Sequence, residues 1–346
     1  MSELLSKREI VVSGIRSTGV LHLGNYFGAM RNYVRMQDDY TCFFFIADWH
    51  ALTTHPDTKE LSASVHRVLA EYIACGLDPE KVSLYAQSEV PEIAELYLLL
   101  NMLAYRGELE KTASFKDKVR QHPENVNAGL LTYPVLMASD IMVHRAVKVP
   151  VGKDQEQHLE MTRNFAQRFN HRYGTEVFPE PYAFNFGENL LKVPSLDGAG
   201  KMSKSENQMA TLYLNDSDDL IRKKVMKAKT ESGSGVSGRT DGGELAPLMP
   251  ESVANLFQLL RLVAGENVVQ QFEADYAEGT IRYGDMKKQL AEDMVRFIAP
   301  IRDKAAAVEL DKPYLHRVMR EGAGKARESA AATLREVRKA MGLQYR

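Results

Sequence analysis

Apolar and polar positions follow two different periods over the first ninety residues. Ile10-Val-Val-Ser13 is a short apolar strand ending at Gly14, residues 20–36 carry a helical pattern, and 41–47 (TCFFFIA) is a continuous apolar run bounded by polar residues. A run apolar on both faces suits a strand buried in a parallel sheet. Leu61, Val65, Val68, Leu69, Tyr72 and Ile73 keep helix spacing over 58–75, and Gly76 follows as a C-terminal stop. Residues 82–86 (VSLYA) read as a third strand. Strand, helix, strand, helix, strand at this spacing predicts an α/β fold with a parallel sheet covered by helices. Such sheets bind ligands at the carboxyl ends of their strands, here Gly14–Gly28 and Ala47–Thr54.

The pattern then changes. Residues 91–170 are helix-rich, with Val147–Val151 as a further strand, and 186–206 are loop-like. After about residue 214 the strand signal nearly vanishes, and 252–263, 285–299 and 325–341 show helical periodicity. The run SGSGVSGRTDGG at 232–243 reads as a flexible loop. The reading is an α/β domain over 1–213 and an all-helical domain over 214–346, whose last helix, about 322–342, is able to pack back on the first. The length of 346 residues agrees with about two domains.

Composition narrows the function classes. Forty-four Lys and Arg against 46 Asp and Glu give a net charge of −2, which excludes a basic coat, so a nucleic-acid partner must be held by local patches. The two cysteines, Cys42 and Cys75, make neither a disulfide framework nor a four-cysteine zinc site. Charges at Glu3, Lys7, Arg8 and Glu9 interrupt any secretory signal, and no apolar run has membrane-helix length. A cytoplasmic protein is the expectation.

Candidate chemistry concentrates in a few segments. Gly14-Ile-Arg-Ser-Thr-Gly19-Val-Leu-His22-Leu-Gly24-Asn25 follows the first strand and opens a helix, where unpaired amides favour an anion. His22 and Asn25 share a face one turn apart, and Gly24 leaves room for a ring or phosphate, although a capping His and Asn would look alike. Gly200-Lys201-Met-Ser203-Lys204-Ser205 fails as a P-loop but sets two lysines and two serines where they can wrap a polyphosphate, unless it is a solvated basic loop. Asp140 lies in an apolar, aromatic stretch and needs either a ligand N–H or an internal partner, and Asp154 and Gln155 follow a similar run. Arg222-Lys-Lys224-Val-Met-Lys227-Ala-Lys229 is a basic strip that could touch phosphates or form a solvated helix face. Metal-hydrolase spacing and the nucleophile elbow are absent.

Taken together, His22-Leu-Gly24-Asn25 and Lys201-Met-Ser-Lys204-Ser205 resemble the paired signatures of the class I aminoacyl-tRNA synthetases. The tryptophan-activating subgroup is resembled further by Ala47-Asp48-Trp-His50, Gly107-Glu-Leu-Glu, Ser114-Phe-Lys116-Asp-Lys118, Ala128 through Asp140, and Val149-Pro-Val-Gly152-Lys-Asp154-Gln155-Glu-Gln-His158. The resemblance runs from about residue 10 to the C-terminus. Against the family pattern, Arg16 replaces a Gln, Val12 an aromatic residue and Lys153 a Glu, and a Met-Ser-Leu before the lysine loop is missing. A tyrosine-activating relative, a nucleotidylyltransferase of the same superfamily and a non-catalytic binding paralogue are the rival readings.

What the resemblance implies is specific. The fold would be a Rossmann-like doubly wound domain followed by a helical anticodon-binding domain. The activity would be ligation of L-tryptophan to tRNA(Trp) with ATP and Mg²⁺, by a homodimer in which the apolar run Tyr97–Met102 could lie at the interface. Lys201, Lys204, His22 and Asn25 would be catalytic. ATP would also meet Arg16, Ser17, Thr18, Gly24, Gly152, Asp154, Lys116, Lys118, Met202, Ser203 and Ser205. The amino acid would lie among Gly14, His50, Tyr133, Met137, Asp140, Val149, Val151 and Gln155, with Asp140 accepting the indole N–H.

Overall fold

The structure, a computed structural model, describes residues 8–17, 19–54, 57–121, 123–152, 155–184, 192–198, 200–203, 207–230 and 249–345. The chain divides into two compact units. One comprises residues 1–19, 31–189 and 307–346, and the other residues 20–30 and 190–306.

The first unit is built on five parallel strands, β1 (Ile10–Arg16), β2 (Thr41–Ala47), β3 (Ser83–Ala86), β4 (Lys148–Val149) and β5 (Tyr182–Ala183), in the order β3-β2-β1-β4-β5. This is the doubly wound order, with its reversal between β1 and β4. β1 and β2 pair over seven positions, from Ile10 opposite Thr41 to Arg16 opposite Ala47. Phe44 and Ile46 of β2 are fully buried, as the apolar run predicts, and each contributes about 1.5–3 kcal/mol by leaving water. Tyr33 stacks on Phe44 at 4.4 Å and shares a 2.6 Å hydrogen bond with Ser13 of β1, and burial pushes its hydroxyl up to about 12. Cys42 and Cys75 are free and buried, and burial likewise pushes the Cys42 thiol up to about 12.

Helix Thr58–Ala74 matches its expected span, capped by Asp57, whose side chain accepts from the Lys59 amide at 3.0 Å. The C-terminal helix, Lys312–Ala340, begins earlier than the periodicity indicates. Within it Gly322 is a contact: a Cβ there would stand 2.0 Å from the Leu84 carbonyl oxygen of β3. The helix therefore lies directly against the edge strand of the sheet. Beside it, His144 stacks on Phe43 at 4.1 Å, hydrogen-bonds the Tyr85 hydroxyl at 3.0 Å and reaches Ser329 at 3.2 Å. Burial lowers His144 to about 3, so the ring stays neutral.

The second unit is largely helical. Its elements include helices Asp218–Met226, Glu251–Val263, Glu266–Ala277 and the start of Tyr283–Leu310. Phe27 stacks on Phe297 at 5.3 Å, and Leu256, Phe257, Met286, Leu290 and Met294 are buried. Two sequence expectations need correction. The helix expected over 20–36 breaks into Leu23–Asn25, a π-helical stretch Tyr26–Met30, and Arg31–Met36. The helix expected to stop at 299 passes through Pro300, with the strong helix formers Ala305, Ala306 and Ala307 beyond it.

The close approach at Gly322 makes a prediction opposite to helix propensity. Gly322→Ala should lower stability by about 1–3 kcal/mol because backbone must move to admit a methyl group. Gly324→Ala, where nothing lies within 4 Å, should be neutral or stabilising. Urea unfolding of the two variants measures both.

Candidate functional site

In the first unit a polar cluster gathers at the carboxyl ends of the strands. Asp140 is buried on helix Tyr133–Met142 with 1% of its surface exposed. His50 Nε2 lies 2.9 Å from its Oδ2, and Gln87 Nε2 donates to Oδ1 at 2.8 Å and to Oδ2 at 3.0 Å. Burial raises the Asp140 carboxyl above its ordinary value, while the bonds from His50 and Gln87 pull it back down. The His50 ring packs against Tyr133 at 4.3 Å, and Tyr133 packs against His158 at 5.6 Å. His158 joins Gln155 Oε1 at 3.0 Å and Ser114 at 2.8 Å, tying the start of helix Ala113–Gln121 to helix Glu156–Tyr173. One connected set thus joins Asp140, His50, Tyr133, Gln155 and, by way of His158, Ser114.

The neighbouring chain ends are built around this set. Asp48 fixes the turn after β2, accepting the backbone amides of Trp49 at 2.9 Å and Ser88 at 3.0 Å as well as the Ser88 hydroxyl. Trp49, next in sequence to His50, is half-buried against the apolar core. Val149 is buried, and Met137 and Val151 are partly buried against the same core. Gly14 is exposed on β1, and a Cβ there would strike the Phe45 ring at 2.5 Å. Arg16 Nη2 donates to Thr54 Oγ1 at 3.1 Å. Arg16 Nε, Ser17 Oγ and His50 Nδ1 are buried side-chain atoms without a hydrogen-bond partner. Buried polar atoms are normally satisfied, and these three lie at the carboxyl ends of β1 and β2.

In the second unit the two signature segments meet. Residues 21–23 pair with 212–214: the Leu23 amide donates to Leu212 O at 2.9 Å, and the Leu214 amide to Leu21 O at 2.9 Å. The His22 amide donates to Asn25 Oδ1 at 3.0 Å. These bonds correct the picture of open amides at the start of a helix, because both are used to fix the segment. Gly24 sits against the His22 ring, and a Cβ there would lie 3.3 Å from the Met202 carbonyl oxygen. The lysine segment begins in a hairpin, where the Met202 amide donates to Val193 O at 2.7 Å and the Ser195 amide to Gly200 O at 2.9 Å. Gly198 and Gly200 take positive φ at its tip. Lys201 and Ser203 are exposed and Met202 is buried.

The remaining expected residues are dispersed. Lys116, exposed, and Lys118 stand on helix Ala113–Gln121, and Gly152 follows β4. Thr18, Asp154, Lys204 and Ser205 lie outside the described residues. Of the basic strip, Lys224 is buried: its Nζ meets Asp216 Oδ2 at 2.6 Å and Thr211 O at 2.8 Å. Arg222 is held by Glu292 at 2.7 Å. Lys224 therefore braces the segment that pairs with His22. Gln87 escapes the sequence reading, although its place directly after a short apolar strand is itself a signal.

Comparison with known proteins gives a consistent picture. Residues 6–299 match the family described as tRNA synthetases class I (W and Y). The chain is 57% identical over 336 residues to a tryptophan–tRNA ligase of Porphyromonas gingivalis, covering 97% of this chain and all of that protein. It is 41% identical to the tryptophan–tRNA ligase of Rickettsia felis, over 97% of this chain and 99% of the relative. Among solved structures, tryptophanyl-tRNA synthetase from Campylobacter jejuni, complexed with ADP and tryptophan, superposes with a TM-score of 0.82 at 31% identity, covering 96% and 99% of the two chains.

The buried Lys224–Asp216 pair makes a sharp prediction. Lys224→Met should cost about 3–5 kcal/mol, because it leaves a buried carboxylate uncompensated. Lys223→Met, on the exposed face of the same helix, should stay within about 0.5 kcal/mol of the parent in chemical denaturation.

Proposed function

Because this chain belongs to the class I tRNA synthetases of the tryptophan and tyrosine kind, we infer that it is a tryptophan–tRNA ligase. It joins L-tryptophan to ATP, forming tryptophanyl-adenylate and pyrophosphate, and then passes the tryptophanyl group to the terminal adenosine of tRNA(Trp). The observation that carries the substrate is Asp140, a carboxylate buried in an apolar pocket and aligned by His50 and Gln87. A pocket built to bond an N–H rejects phenylalanine, because the acceptor site that His50 and Gln87 leave open on the carboxylate would stay unpaired.

The residues divide by task. Asp140 takes the indole N–H, with Met137, Val149 and Val151 as the apolar walls and Gly14 as an edge without a side chain. Tyr133, Gln155 and His50 orient the ammonium and carboxylate, which sets the nucleophilic oxygen against the α-phosphorus. Arg16, Ser17, Thr18, Gly152 and Asp154 hold the nucleotide, with the orphaned Arg16 Nε and Ser17 Oγ supporting the first two assignments. His22, Gly24 and Asn25 receive the phosphates. Lys201 and Lys204, with Met202, Ser203 and Ser205, stabilise the charge on the departing pyrophosphate, and Lys116 and Lys118 assist at that end. Among the described residues no group of three or more His, Cys, Asp or Glu side chains is placed to hold a metal. Mg²⁺ entering with ATP would supply charge neutralisation at the triphosphate, beside Lys201 and Lys204.

The helical domain from residue 214 is the reader of the anticodon, and the cytoplasm, where tRNA is charged, is the site of action. No helix among the described residues is long and apolar enough to cross a membrane. The working unit is a homodimer, supported by Leu98, Met102 and Tyr105, which are 56%, 68% and 58% exposed in and just beyond the apolar run. Light scattering should return twice the chain mass, and Met102→Glu should shift it toward a single chain.

Tryptophan-dependent ATP–pyrophosphate exchange, with tyrosine and phenylalanine as controls, tests the reaction. Exchange is expected with tryptophan alone. Asp140→Ala should lower kcat/KM for tryptophan by about 10²-fold or more while the protein stays folded. Lys201→Ala should lower kcat by about 10²-fold with little change in KM for tryptophan. Exchange driven by tyrosine would overturn the substrate.

A further inference from the structure

We propose that Gln87 is a specificity-determining positioning residue, which turns the Asp140 carboxylate so that one lone pair stays open to an indole N–H. The inference rests on the tryptophan reading above. Gln87 is fully buried in the short 3-10 turn Gln87–Glu89 that follows β3. Its amide has two distinguishable ends. Nε2 donates to both Asp140 oxygens, at 2.8 and 3.0 Å, while Oε1 accepts the His50 backbone N–H at 3.3 Å. Flipping the amide would press an oxygen on the carboxylate and an NH₂ on an N–H, so both contacts select one orientation. His50 Nε2 is the remaining donor, at 2.9 Å from Oδ2. A carboxylate offers about four lone-pair sites, and these three contacts leave room for one further donor.

The two donors are not equivalent. The titratable groups facing Asp140 are His50 and Asp48 from helix Asp48–Leu52 and Tyr85 from β3, with His144 bonded behind Tyr85. Burial and the Asp48 charge both favour the protonated carboxyl. A protonated Asp140 would spend one oxygen on an O–H donor and keep only a neutral, weaker acceptor for the indole N–H. The His50 ring is shared with the amino acid that it helps to orient. The Gln87 amide is uncharged and has no such second task, so its Nε2 is the donor committed to Asp140 alone. Gln87 also links three elements, because one side chain connects β3, the turn after β2 and the helix carrying Asp140.

The test uses the full-length protein in pyrophosphate exchange with tryptophan and with benzothienylalanine, an analogue whose ring N–H is replaced by sulfur. The parent should prefer tryptophan by a ratio that does not collapse as pH rises, because the Gln87 amide carries no titratable proton. Gln87→Leu should reduce that preference about tenfold or more through KM for tryptophan, leaving KM for ATP unchanged. Gln87→Glu gives the sharper signature. Its carboxyl group can share a proton with Asp140, and while protonated it donates as the amide does. The preference should therefore survive at low pH and collapse as pH rises and that shared proton leaves. A variant damaged only in folding would lose activity toward both substrates equally and at every pH. An unchanged preference in Gln87→Leu, or a pH-independent one in Gln87→Glu, overturns the proposal. If Gln87→Leu does not fold, the pH profile of Gln87→Glu decides alone. Failure of the parent to exchange with tryptophan would instead remove the substrate reading beneath it.

Discussion

Seven consecutive backbone pairs between β1 and β2 hold the rest of the first unit in place. They bring Arg16 opposite Ala47, so the turn carrying Ser17 and the turn carrying Asp48, Trp49 and His50 leave the sheet side by side. His50 and Asp48 hang from that end of the sheet, and Asp140 meets them from helix Tyr133–Met142. β3 delivers Gln87 one step after Ala86, and Ala86 is itself in register with Ile46. The two buried carboxylates at this end are each tied to other polar groups. Asp48 is bound to Ser88 and Trp49, and Asp140 to His50 and Gln87.

Much of this was legible in the chain. Three strands and the helix beginning at Thr58 follow directly from apolar runs and helix spacing. The segments around His22, Lys201 and Asp140 stand out because polar residues interrupt apolar surroundings or cluster between glycines. The misreadings have physical causes. Residues 20–36 keep helical periodicity through a π-helical stretch, since one extra residue per turn scarcely disturbs an apolar stripe. The contact at Gly322 leaves no sequence signal, because the Leu84 carbonyl lies more than two hundred positions away. The place of Gln87 after a short apolar strand is a signal, but its task is not legible, because the carboxylate it holds lies 53 positions later.

The second unit uses charge differently. Within the basic strip at 222–229, Arg222 is held by Glu292 and Lys224 by Asp216, while Lys223, Lys227 and Lys229 are exposed. Lys224 lies 4.9 Å above the Tyr213 ring, and Tyr213 pairs with His22. The geometry of the histidine signature is therefore inherited from a buried ion pair belonging to the strip that looked like a surface. Within this unit the lysine signature shares the same support, because Thr211 also donates to the Ser203 carbonyl at 2.7 Å.

One residue beside the cluster carries an optical consequence. Trp49 is the single tryptophan of the 346-residue chain, and its amide is pinned by the carboxylate that orders the turn into His50. The intrinsic emission of the folded protein at the red edge of the excitation band comes from one indole in one environment. No deconvolution of several emitters stands between that spectrum and the local polarity at the end of β2. The protein thus carries a built-in fluorophore one peptide bond from the pocket it would report on.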